Sequence, residues 1–182
     1  MDRMFSALDK ISTPRNLTIG IISAIMVVSV MGALTQTLVY EVYGDANMPD
    51  TNFGYTFVEI QNAFDILGSE GLKIWLQVHL LDVIFPLTYS FSMVFGILME
   101  IRASLPERKK LRLLVLLPMC GAIADYIENT LIATQVVSYP VLSESIIAIA
   151  SMVTIAKWLL LYAGFMVIFL LLIIYFIMRI RK

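Results

Sequence analysis

The sequence predicts an all-α integral membrane protein: a bundle of four transmembrane helices with a short amphipathic helix in its first outer loop. Three observations predict it. The 182 residues are 59% hydrophobic and 15% charged, where soluble domains run near 45–50% and about 25%. Four apolar runs, about 17–40, 74–101, 111–137 and 146–178, each supply the roughly 20 helical residues that a bilayer core requires. Lysine and arginine collect on one side of a chain that crosses four times. The whole chain, 1–182, reads as a single transmembrane domain.

The first sixteen residues are charged, and no small-residue cleavage pattern follows the first run, which therefore reads as a span rather than a signal peptide. Pro14 suits the start of that helix, and Ser138-Tyr139-Pro140 reads as a stop after the third. The tail carries Arg3, Lys10 and Arg15, and the link after the second run carries Arg102, Arg108, Lys109, Lys110 and Arg112. Arg179, Arg181 and Lys182 close the chain. The other side holds Lys73 beside Glu41, Asp45, Asp50, Glu59, Asp65 and Glu70. By the positive-inside rule both termini are cytoplasmic, in a multi-pass protein of the cell membrane. A net charge of −1 gives no basic surface for nucleic acid, and the single Cys120 excludes an internal disulfide.

The outer loop, 41–73, contains its own helix signals. Thr56 with Glu59 three residues on is a capping box, and Gly68 stands where the helix would end. Phe57, Ile60, Phe64 and Leu67 share one face. Such a helix lies on the outer membrane surface or packs onto the bundle, and the sequence leaves both open.

Polar residues interrupt the apolar runs at consistent positions. His79, Asp82, Pro86 and Tyr89 form one stripe, with Pro86 leaving the carbonyl of Asp82 without its helical partner. Asp125, Glu128 and Asn129 form a second, and Ser151, Thr154, Lys157 and Trp158 a third. Counting from the cytoplasmic arginines at about 1.5 Å per residue puts Asp125 and Glu128 roughly 20–24 Å deep, with His79, Asp82, Gln36 and Lys157 roughly 30–35 Å. Apart from Glu100, the polar groups of all four runs fall between mid-membrane and the outer interface, as a vestibule opening outward would require. A carboxylate at such depth costs at least ~2.5–3.5 kcal/mol, so it faces the interior and has a partner. Lys157 either joins it or snorkels to the outer interface.

Three functions fit these residues. In the first, a lipid-like small molecule or membrane lipid is bound, or acted on by acid–base chemistry. His79, Asp82, Asp125 and Glu128 are then the titrating groups, and Asn129, Tyr89, Lys157, Trp158, Thr154, Ser151 and Gln36 line the ligand site. Burial and mutual repulsion would keep at least one of Asp125 and Glu128 protonated near neutral pH. In the second, His79, Asp82, Asp125 and Glu128 hold a metal, although bundle-core di-metal sites use two histidines and this chain has one. In the third, the carboxylates mark the path of a proton- or cation-coupled transporter or channel subunit, which with four helices requires a homo-oligomer. The sequence leaves open whether the site performs chemistry and which cofactor, if any, it uses.

Two resemblances rest on these segments. Asp82-x-x-Phe85-Pro86-x-x-Tyr89 and Asp125-x-x-Glu128-Asn129 resemble a group of small prokaryotic four-helix membrane proteins without assigned function. More distantly, the layout is similar to the emopamil-binding-protein type (EXPERA) membrane proteins, sterol isomerases and sterol-binding relatives. The isomerase pattern spaces histidine and glutamate by four, whereas His79 and Asp82 are three apart. This second resemblance implies a lipid pocket and nothing finer.

Overall fold

The computed structural model describes residues 2–44, 46, 48–49 and 52–180. Asp45, Asp50, Arg181, Lys182 and the side chain of Arg3, all used in the charge argument, lie outside the described residues. Among the described residues all regular structure is helical.

The chain starts with α1 (Asp2–Ile11), and Thr13 caps α2 (Pro14–Thr35) by accepting from the Asn16 amide at 3.2 Å. Pro14 sits where a missing N–H costs nothing. A wider π turn, Gln36–Tyr40, carries α2 into the short α3 (Glu41–Tyr43), and Gly44 ends it at a φ of +95°. None of the residues in α2 is buried. A helix apolar on every side and unburied is matched to lipid rather than to water.

The capping box predicted at Thr56 and Glu59 begins α4 (Phe57–His79). Gly68, at a φ of +59°, breaks the helix geometry at the predicted stop, after which the helix resumes. Ile60, Phe64 and Leu67 are buried with Trp75, Ile132, Val136 and Ile147. The apolar face of this segment thus packs onto the other helices.

Here one expectation needs correction. Residues 74–101 are not one helix. After His79 the chain tightens into a 3₁₀ turn, Leu80–Val83, and α5 (Phe85–Ser104) begins afresh with Pro86 in its first turn. Pro86 has no N–H to continue the ladder, so the break falls just before it and re-aims Asp82.

A second 3₁₀ stretch, Lys109–Val115, precedes α6 (Leu116–Ser138), and the long α7 (Glu144–Ile180) closes the chain. Three stretches are long and apolar enough to cross a membrane: Pro14–Tyr43, Phe57–Ser104 and Glu144–Ile180. The expected third span, α6, is not among them. Asp125, Glu128, Asn129 and Gln135 lower its hydropathy, and its start is delayed by the 3₁₀ turn. Its sides remain sorted: Asp125, Glu128 and Gln135 are buried, whereas Ile123, Ile127 and Val137 are exposed.

Packing follows from this sorting. α6 lies along α7, and α5 packs against α2, α6 and α7, while α2 and α7 scarcely meet across it. At the end carrying the basic link, Phe5 of α1 joins a cluster with Val94, Ile97, Leu98, Ile101 and Val115. Arg102 donates to the carbonyls of Asp9 (2.7 Å) and Ser12, and Arg112 pairs with the Asp9 carboxylate at 2.9 Å. Lipid is as apolar as leucine, so polar pairs and close packing decide the arrangement more than apolar burial does.

Candidate functional site

The break before Pro86 and the sorted faces of α6 and α7 bring the polar stripes together. Lys157 of α7 lies between two carboxylates of α6, 3.3 Å from Asp125 Oδ1 and in close contact with Glu128 Oε2. All three side chains are at most 7% exposed. Asp125 accepts a second bond on its other oxygen, from the Tyr89 hydroxyl at 3.0 Å. Lys157 therefore does not snorkel. It supplies the cation that two buried carboxylates one helical turn apart require, and it stands 5.6 Å from the Trp158 ring centre.

His79, Asp82 and Asn129 form an adjoining group. The Asn129 amide donates to Asp82 Oδ2 at 2.7 Å, and its oxygen lies 3.2 Å from His79 Nε2. His79 Nε2 is also 3.5 Å from Asp82, and its ring stacks on Trp75 at 4.4 Å. The Tyr126 hydroxyl pins α6 to the 3₁₀ turn by donating to the Val83 carbonyl at 2.7 Å. Among the described residues no group of three or more His, Cys, Asp or Glu side chains is placed to hold a metal ion. Physically, Lys157 takes the position between Asp125 and Glu128 that a cation would need.

Ser151, Thr154 and Trp158 also hold the loop before α4, and Trp158 borders the cavity beside Lys157. The Tyr55 amide donates to Ser151 Oγ at 2.9 Å, Thr154 Oγ1 donates to the Tyr55 hydroxyl at 3.2 Å, and Trp158 Nε1 donates to the Asn52 carbonyl at 3.0 Å. Gly54 fits against Ile155, where a Cβ would stand 3.1 Å from its side chain. Residues 52–56 are thus strapped across α7, over the side where the sequence placed an outward opening. Gln36 is exposed.

A cavity of about 340 Å³ between α2 and α7 is bordered by Asp82, Tyr89, Asp125 and Lys157. It shares Val28, Phe85, Tyr89 and Phe165 with an adjoining cavity of about 510 Å³, which runs along α5 past Met93 and Gly96 to Glu100. Together they form an apolar trough with α5 as its floor. On the other face, between α4 and α6, about 550 Å³ is bordered by His79, Tyr126 and Asn129.

Tyr55 and Asn52 were not legible as site neighbours in the sequence, because a loop's approach to a helix 100 residues away leaves no periodic trace. The trough has the same origin: it exists because α2 and α7 pack on α5 without closing over it. No family model, curated protein or solved structure matches the chain.

Proposed function

We propose that the chain is a four-helix transmembrane protein, with both termini cytoplasmic, that binds a lipid-like molecule in the trough between α2 and α7. One end of that molecule lies against Tyr89, Asp125 and Lys157. One observation carries this reading: an apolar trough of two joined cavities ends on a buried, mutually compensated group of donors and acceptors. Clefts of a few hundred Å³ that are mostly apolar, with a few placed polar groups, are the usual form of a small-molecule site. The apolar lining favours a ligand that arrives from the bilayer. The strapped loop and the apolar inner stretch both argue against a continuous ion path, which would need polar groups along its length. The Tyr89–Asp125 pair, facing the cavity, is the acid–base unit if the bound molecule is also transformed.

The test is photocrosslinking in liposomes with a phospholipid carrying a diazirine at its chain end. Adducts should concentrate on peptides containing Tyr89 and Phe165. Gly96→Trp should remove them, because a Cβ at Gly96 meets only Ile168 at 3.9 Å and a larger side chain fills the trough. Adducts spread evenly over every exposed helix, unaltered by Gly96→Trp, would overturn the reading.

A further inference from the structure

Glu100 stands at the inner end of the trough, just before the last turn of α5. Its Oε2 is buried and has no hydrogen-bond partner among the described residues. Two cations of this end are held by other partners: Arg102 donates to the carbonyls of Asp9 and Ser12, and Arg112 pairs with Asp9. An apolar trough therefore ends, close to the basic link, on an acceptor that the described side chains leave unanswered. A buried carboxylate oxygen without a hydrogen-bond partner is costly, and a charge-assisted hydrogen bond offsets that cost.

We infer that Glu100 is the head-group contact of a lipid subsite, and that the head group is an N–H-bearing ammonium, as in phosphatidylethanolamine. The inference rests on the proposed trough and names its ligand class. The geometry is commensurate with a lipid of the inner leaflet. Glu100 and Tyr89 are separated by eleven residues of α5, or roughly 16 Å at about 1.5 Å per residue. Half the hydrocarbon core is about 15 Å. A lipid whose ammonium rests on Glu100 at the inner interface lays its chain over Gly96 and Met93 and brings the chain end to Tyr89 and Asp125. An anionic head group would meet the carboxylate with like charge. A choline head carries the charge but has no N–H to donate.

The experiment is native mass spectrometry of the protein taken from nanodiscs with equal parts phosphatidylethanolamine, phosphatidylcholine and phosphatidylglycerol of identical acyl chains. Wild type should retain the ethanolamine lipid several-fold over the other two. Glu100→Gln should abolish that preference, and Glu100→Lys should turn it toward phosphatidylglycerol, each variant first showing a wild-type elution profile. Equal retention of the three head groups by wild type, or a preference that survives Glu100→Gln, overturns the assignment. Gly96→Trp separates the two levels. If it removes bound lipid while wild type shows no head-group preference, the trough stands and only the Glu100 contact falls. If it leaves retained lipid unchanged, both fall.

Discussion

Replacing Lys157 by methionine is the sharpest perturbation of the buried cluster. Methionine keeps the length and apolar stem of lysine but removes the ammonium that stands 3.3 Å from Asp125 and closer still to Glu128. Each ion pair at such a distance is worth about 5 kcal/mol of Coulomb attraction at an effective dielectric near 20. Much of that is offset by the cost of removing the charges from water, so the pairs themselves add little net stability. Breaking them is different. Two carboxylates 6% and 2% exposed are left facing each other without a cation. Removing one partner of a buried pair costs about 3–5 kcal/mol. For a chain of this size that lowers Tm by about 6–20 °C.

The assay is heating of detergent-solubilised protein followed by size-exclusion chromatography read by tryptophan fluorescence. Glu128→Gln alone should be mild, because Lys157 keeps Asp125. Lys157→Met should be the least stable. Lys157→Met with Glu128→Gln should recover part of the loss, and adding Asp125→Asn should recover more, since amides hydrogen-bond without charge. A Lys157→Met protein as stable as wild type, or one not improved by the added amides, would refute the compensation argument.

Three further outcomes follow from the fold. Cysteines placed at Asn62 and Glu107 should label from opposite sides of intact cells with a membrane-impermeant maleimide; labelling of both from one side would sink the four-crossing topology. Trp158→Phe removes the bond to the Asn52 carbonyl, worth about 0.5–1.5 kcal/mol, and should speed proteolysis within 52–56 while leaving the helices intact, as limited digestion will read. Glu59 has its carboxyl pKa lowered, first by the Thr56 backbone N–H and then by its hydroxyl. A depressed folded pKa means the cap stabilises above the unfolded value of 4.5 and is lost as pH falls below it. Hydrogen exchange of amides 57–60 should therefore gain protection as pH rises from 3 to 6 once corrected for intrinsic rates, and Glu59→Gln should flatten that dependence.

The sequence by itself determined the helical class, the helix start at Pro14, the capping box at Thr56, the break at Gly68 and the end of α6 at Ser138. These are local properties: a cap needs two residues three apart, a glycine at positive φ needs no distant partner, and hydropathy sums along the chain. The same local sums misread one place, where Pro86 splits the second run into two helices. The polar residues of α6 lower its summed hydropathy, while its exposed side remains apolar. Only the tertiary structure decided that Lys157 belongs with Asp125 and Glu128 rather than at the interface, because its side chain reaches either place from the same backbone position. It alone strapped residues 52–56 over α7. The trough, too, is a property of three helices at once: α2 and α7 each pack on α5 and leave a gap that no single segment encodes. Which neighbour a helix face meets is fixed by the packing of the others, and that information is spread across residues far apart in the chain.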